Sequence, residues 1–314
     1  MPSNVRIGTR GSELALWQTR HVKALLEELF SGIVIDVQTI KTTGDKILDT
    51  PLAKIGDKGL FTKELEVALL DERIDLAVHS FKDVPTAIPE GLTIGAVLER
   101  EDVRDVFIGH PKSPNQLFMT LPRHAVIATG SLRRKCQVLN LRQDIHIVDI
   151  RGNLNTRINK LDKSNWDGMI LAKAGVTRLG WAQRITEILP FEIMLPAVGQ
   201  GALAIEIRND DKRIEKLLRT LHHHPTALTV TAERSLLRHL EGGCQIPIGA
   251  YGQVQGNELR LDAVIGNLDG KRMVKGSRSG NHIDAERIGI ELAKELLKRG
   301  GKEILDEIRH TTSP

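Results

Sequence analysis

The sequence predicts an α/β protein: two related lobes, each with a parallel-rich sheet, followed by a small C-terminal α+β domain. Three observations carry that expectation. Strand-like and helix-like patterns alternate over the first hundred residues, the order that places helices on both faces of a sheet. VRIGTRGS (Val5 to Ser12) is echoed by AVIATGS (Ala125 to Ser131), so one strand–turn–cap grammar starts twice. The last hundred residues change character and alternate in the manner of antiparallel strands.

The elements follow in order. Val5 to Thr9 reads as a buried strand, and Ser12 as the cap of a helix whose apolar stripe is Leu14, Trp17, Val22, Leu25, Leu26 and Leu29. Ile33 to Ile40 returns to strand, Phe61 to Leu70 is a helix, and Ile74 to His79 a short strand. The Pro-bearing polar stretch His110 to Pro122 is a loop. Ala125 to Thr129 opens the second lobe, with Gly130 as its turn and Ser131 as its helix cap. Strands are also expected at Ile145 to Ile150 and near Met169 to Leu171. Leu189 to Gly201 holds two prolines and two glycines, and Ala202 to Glu206 then resumes as strand, a crossing back to the first lobe. Thr229 to Leu240 is a helix stopped by Gly242 and Gly243. Ile246 to Val254 and Leu259 to Ile265 pair as antiparallel strands, and Asp284 to Arg299 is an amphipathic helix. The boundaries expected are 1–99 with 200–219 for the first lobe, 100–199 for the second and 220–314 for the C-terminal domain.

The 314 residues carry 44 Lys and Arg against 40 Asp and Glu, a net charge of +4, with 27% charged and 40% hydrophobic residues. That is an ordinary soluble composition. No apolar run is long enough to span a bilayer, and MPSNVRIGTR lacks the apolar centre of a signal peptide. Two cysteines make no disulfide framework, so a reducing cytoplasm is expected. The pI near 9 invites a nucleic-acid partner, but aromatics are only 3%, with one Tyr, and stacking platforms are scarce. No exposed apolar stripe demands a partner, so a monomer is expected.

Charge is unevenly spread. Arg123 to Lys160 holds eight Lys and Arg against two Asp. Arg133 and Arg134 fall in the first turn of the helix capped by Ser131, where the helix already favours anions. Cys136 shares a face with Leu132 and Leu139 and is expected in the core. Arg151 and Arg157 bracket RGNLNTR after a strand, Arg10 occupies the equivalent place in the first lobe beside Ser12, and Arg178 sits in a similar loop. These are the strand ends at which open α/β sheets bind ligands, and arginine suits bidentate recognition of carboxylate or phosphate. HSFKDVP (His79 to Pro85) places Asp83 at that same edge. A carboxylate there would repel anions, which points to work on a cation or a proton, although a plain ion pair with Lys82 or an arginine is the simpler reading. Cys244, in EGGCQIPIG, follows a helix C-terminus that raises a thiol's pKa and has no local His partner. A structural thiol and a covalent attachment point both remain open. The run His222 to His224 lacks metal-ligand spacing, so no metal is expected. VGQGA lacks the Lys-Ser/Thr ending of a phosphate-binding loop.

Eight segments in order resemble the porphobilinogen deaminase (hydroxymethylbilane synthase) family: IGTRGSELALWQ, KGLFTKELE, HSFKDVP, ATGSLRRK, RGNLNTR, LAKAGVTRLG, VGQGALAIE and EGGCQIPIG. Departures are conservative, with Val176 where Leu is usual and Phe81 where Met or Leu is common. The resemblance implies two periplasmic-binding-protein-like (type II) lobes facing a cleft and a third domain carrying the cysteine. It implies a transferase of tetrapyrrole biosynthesis that condenses four porphobilinogen molecules head to tail, each losing ammonia by way of a cationic azafulvene. They are added to a dipyrromethane cofactor joined by a thioether to Cys244, and water then releases linear hydroxymethylbilane. Asp83 would stabilise positive charge on pyrrole nitrogens and assist proton movement. By matching, Arg10, Ser12, Lys82, Arg133, Arg134, Arg151, Arg157 and Arg178 would bind cofactor and substrate carboxylates. Ser80, Thr129 and Ser131 would be hydroxyl or backbone partners, and Gln200 would line the cleft. Lys54 and Lys58 would belong to a mobile lid, with Phe61 stacking on a pyrrole ring. The rival is a non-enzymatic small-anion binding protein of the same two-lobed fold, which needs neither Cys244 nor Asp83.

Overall fold

β1 (Asn4–Thr9) buries Val5 and Ile7 completely on one face. On its other face Gly8 leaves room for two side chains, since a Cβ there would sit 2.3 Å from Ile74 and 3.0 Å from Leu65. These details belong to a computed structural model that describes residues 4–46, 59–240 and 246–312. Among them no helix is long and apolar enough to cross a membrane.

The described residues fall into two compact units, one of 4–46, 59–101 and 201–227, the other of 102–200, 228–240 and 246–312. In the first, β1, β2 (Val34–Thr39), β3 (Leu76–Ser80), β4 (Leu92–Val97) and a late strand, Leu203–Arg208, form a sheet in the order β2-β1-β3-late strand-β4. β1 runs parallel to β2 and β3, whereas the late strand is antiparallel to both of its neighbours. The expected return to the first sheet near residue 202 is therefore present, and the returning strand is reversed.

The second unit repeats the pattern. β5 (Asp105–Gly109), β6 (Val126–Ala128), β7 (His146–Val148), β8 (Gly168–Ala172) and β9 (Glu187–Ile188) are ordered β7-β6-β8-β5-β9, with β5 antiparallel to β8 and β9. The late strand of the first sheet is thus β10. β1 and β6, the two strands of the sequence echo, occupy matching places. Each unit thus contains an α/β lobe built on a five-stranded mixed sheet. The rest of the second unit is a small domain whose sheet is β11 (Ile248–Gln255), β12 (Glu258–Gly266) and β13 (Met273–Asn281), all antiparallel.

Helices cover these sheets. α1 (Glu13–Leu29) is capped by Ser12, whose hydroxyl accepts from the Ala15 amide at 3.3 Å. Its buried face is Ala15, Gln18, Thr19, Val22 and Leu26, and Leu29 is 51% exposed, so the expected stripe is rotated toward smaller and polar residues. α2 is Lys63–Leu70, α3 Leu132–Leu141, α4 Leu154–Asp162, α5 Lys173–Arg178, α6 Lys212–Leu218 and α7 His224–His239. α7 begins five residues earlier than expected; Pro225 falls at its start, where a missing N–H costs no helical bond. α8 (Ala285–Leu296) and α9 (Lys302–Thr312) are separated by a turn at which Gly300 takes a φ of +104°. The apolar core of this domain joins Ala232, Leu236, Leu261, Ile265, Leu292 and Ile304.

α7 and α8 touch at Gly289, where a Cβ would lie 2.2 Å from the carbonyl oxygen of Ala232. Backbone cannot yield there as a flexible side chain can. Gly289→Ala is expected to destabilise this domain by roughly 1–3 kcal/mol, read as a lowered denaturation midpoint in urea. An unchanged midpoint would contradict the close approach.

Candidate active site

The first unit brings several of the expected residues to the C-terminal ends of its parallel strands. β1 ends at Thr9 and delivers Arg10 and Ser12; β3 ends at Ser80 and passes into a single 3₁₀ turn, Phe81–Asp83. Arg10, Ser12, Gln18, Phe61, His79, Ser80 and Asp83 line one small cavity of about 50 Å³. Arg10 forms an ion pair with Asp45 and lies over the Phe61 ring at 4.1 Å from its centroid. The ring expected to stack on a pyrrole thus carries a guanidinium on one face. Burial opposes ionisation of Asp45, but the Arg10 hydrogen bond and charge prevail and hold its carboxyl below the usual range. Gln18 donates to the Ser80 hydroxyl at 2.8 Å. Lys82 and Asp83 are both half-buried. The Asp83 carboxylate has no hydrogen-bond or ion-pair partner among the described residues, so the simple pairing with Lys82 or an arginine is not formed.

The second unit holds most of the arginines. Ser131 caps α3, accepting from the Arg134 amide at 3.4 Å, and Thr129 Oγ1 accepts from the Ser131 amide. Arg133 and Arg134 are only 5% and 6% exposed, and both pair with Asp105, which is fully buried. Arg133 Nη1 donates to Asp105 Oδ2 and to the Leu195 carbonyl, each at 2.6 Å. Arg134 donates to Asp105 Oδ1 from Nη2 at 2.8 Å and from Nε at 3.1 Å. Gln200, expected to line a cleft, is 1% exposed; its amide donates to Asp105 Oδ1 at 2.9 Å and to the Val103 carbonyl at 2.7 Å. It supports the arginines from behind, because the chain turns inward at VGQGA. Burial opposes the charge on Asp105, but the two guanidiniums outweigh it and hold the carboxyl well below the usual range. One anion shared by two cations leaves a surplus positive charge.

Arg157 Nε donates to the Gly152 carbonyl at 2.8 Å, at the start of α4, which Asn153 caps. Arg178 is the last residue of α5 and not part of a loop, because the helix beginning at Lys173 runs through it. Arg151 is half-buried. Cys136 is fully buried as expected, and burial pushes its thiol up to about 12. A hollow of about 550 Å³ bordered by Asp149, Thr156, Lys160, Lys163 and Trp166 contains none of the expected site residues. Cys244, Lys54 and Lys58 lie outside the described residues.

The residues missed from sequence were Asp45, Asp105 and Gln18, each of which orients an expected one. A polar residue on the buried face of a helix (Gln18) or opening an otherwise apolar strand (Asp105) was the available signal.

The family model described as porphobilinogen deaminase, dipyromethane cofactor binding domain, matches residues 5–216, and the model of the porphobilinogen deaminase C-terminal domain matches residues 227–298. The chain belongs to the porphobilinogen deaminase family. It is 53% identical over 309 residues to the porphobilinogen deaminase of Carboxydothermus hydrogenoformans, covering 98% of each chain. It is 54% identical to that of Chlorobium phaeovibrioides, covering 99% of this chain and 100% of the relative. Among solved structures, the aliphatic sulphonate binding protein SsuA of Escherichia coli aligns over 77% of this chain and 71% of its own, at 15% identity and a TM-score of 0.41.

The residues present fit a carboxylate-rich cofactor. Arg133 Nε and Arg151 Nη1 are buried guanidinium nitrogens without a hydrogen-bond partner among the described residues. Buried donors of that kind are costly unless something accepts from them, and a bidentate carboxylate is the natural acceptor.

Two outcomes are expected. Asp105 has a folded pKa below its unfolded value of about 3.9, so its contribution is complete above that value and is lost as pH falls through the folded one. Asp105→Asn should therefore lower stability by about 3–5 kcal/mol at neutral pH, by leaving buried guanidiniums uncompensated, and flatten the acid limb of stability against pH in chemical denaturation. Cys136 should resist iodoacetamide in the native protein and react only after unfolding, as read by peptide mass mapping.

Proposed function

We propose that this chain condenses porphobilinogen units head to tail with loss of ammonia and releases linear hydroxymethylbilane. The reading rests chiefly on Asp83, a half-buried acid without a partner among the described residues, set on the same cavity wall as Arg10 and Ser12. A binder of small anions gains nothing from such an acid.

Arg133, Arg134, Arg151, Arg157 and Arg178 take carboxylates in the second unit; Arg10, Ser12 and Lys82 take them in the first. Each porphobilinogen brings an acetate and a propionate, and fixed guanidiniums neutralise them with donors already in place. The unshared Nε of Arg133 and Nη1 of Arg151 are the donors readiest to do so. Cys244 would hold the dipyrromethane cofactor, which would supply the pyrrole carbon to which the first unit is joined. Asp83 stabilises the cation formed on the substrate when ammonia leaves it, and takes up the proton that the condensation releases. Ser80, oriented by Gln18, and the backbone around Thr129 and Ser131 provide further polar contacts. Lys54, Lys58 and Phe61 would cover the bound chain. The protein works as a cytoplasmic monomer, as its composition and two cysteines favour, and nucleic acid is not its partner.

Cys244→Ser should fold yet lack the added mass of a dipyrromethane and its colour with acidic aldehyde reagent. An adduct retained on that variant would refute the anchor. Asp83→Asn should keep the adduct and lose about 10²–10⁴-fold in turnover, measured as hydroxymethylbilane formed; near-normal turnover would remove Asp83 from the chemistry.

A further inference from the structure

Beside the cavity lies a cluster of titratable side chains that the roles above leave unused. His79 and Glu206 are 5% and 0% exposed, and His79 Nε2 is 3.1 Å from Glu206 Oε2. The sheet register places them together: His79 lies opposite Ala204 and Ala77 opposite Glu206, which makes the pair diagonal neighbours on one face. β10 shifts register against β4 between Ile205 and Glu206, a bulge of the kind that re-aims a side chain. Glu66 of α2 is also buried. Burial pushes its carboxyl up, Glu206 and Glu64 add to the rise, and Thr62 and His79 oppose it. Glu206 Oε1 is buried with no hydrogen-bond partner among the described residues. Placing these groups in an apolar layer costs desolvation that apolar residues would avoid. Of the three, only His79 reaches the cavity wall that Asp83 also lines.

Porphobilinogen enters with its aminomethyl group as the ammonium, so each condensation releases ammonia and one proton from the ring carbon. If Asp83 accepts that proton, it is neutral and cannot stabilise the next cation until it discharges. We propose that His79 and Glu206 form a proton-accepting dyad that returns Asp83 to its ionised form. The proton leaves the Asp83 carboxyl and travels by water in the cavity to His79 Nδ1, while Nε2–H stays donated to Glu206. An O–H bond breaks at Asp83, an N–H bond forms on the imidazole, and the new positive charge appears beside a carboxylate already in place. The imidazolium then gives its proton to cavity water. The inference rests on the role of Asp83 proposed above. The charged groups facing His79 are Glu206 from β10, Glu66 from α2 and, across the cavity, Asp83 and Arg10.

The test compares the intact enzyme with His79→Gln, Glu206→Gln and Asp83→Asn, using porphobilinogen turnover from about pH 5.5 to 9 and the histidine NMR signals over the same range. In the wild type, His79 should titrate inside that range, a measurement that needs no variant to fold. Glu206→Gln should move that titration, and the matching limb of kcat, to lower pH, because a lost anion disfavours the imidazolium. His79→Gln should abolish the limb and lower kcat at least about tenfold, with KM within about twofold and the covalent adduct intact by mass. A His79 signal fixed in one protonation state, or a limb unmoved in His79→Gln, overturns the dyad. If that happens while Asp83→Asn is nearly inert, the dyad alone falls. Full activity in Asp83→Asn removes both readings.

Discussion

The carboxylate of Asp105 holds Arg133 and Arg134 of the second unit in place. It is fully buried and receives Arg133, Arg134 and Gln200 at once. Without it, two guanidiniums would sit uncompensated in the interior, and each would relax toward water and away from any ligand. With it, α3 presents two rigid cations but only half their charge is cancelled. Rigidity and surplus charge together suit the pair to the carboxylate binding proposed above, since fixed donors need no reorganisation. Gln200 extends the support to the segment where the chain leaves this unit. Glu233 of α7 accepts from the Gly199 and Gly252 amides, each at 2.8 Å, so the small domain fastens the same segment.

The fold was legible where apolar spacing is regular. Val5 and Ile7 in β1, with the duplicated strand–turn–cap at Ser12 and Ser131, are enough to predict two α/β lobes. β13 escaped notice for a physical reason. Its inward positions include Gly276 and Gly280, which leave room for Leu292, Leu296 and Ile288 of α8, so the strand has little apolar alternation to detect. The stripe of α1 was misjudged because its buried face uses Ala15, Gln18 and Thr19 where larger apolar residues were at hand.

The candidate site was legible as a set of residue types and strand ends, and less so as a set of partners. Nothing local in the sequence couples Arg10 to Asp45, thirty-five positions away, or Arg133 to Asp105. Such pairs are settled by sheet order, which brings distant strand ends together. The same limit applies to His79 and Glu206, 127 residues apart: each lies in a segment that resembles the family, yet only the register of β3 against β10 sets them side by side.

The reversed strand β10 has a consequence for how the chain is made. It lies between β3 and β4, but it follows them by more than a hundred residues, with the whole second α/β lobe made in between. A nascent chain emerging from the ribosome therefore carries two strands whose facing edges lack their common neighbour until Leu203 appears. Those edges offer open hydrogen-bonding groups during synthesis, and closing the sheet demands contacts of long sequence separation, which form slowly. Biogenesis, more than the finished molecule, is where this topology leaves the protein vulnerable to misassembly.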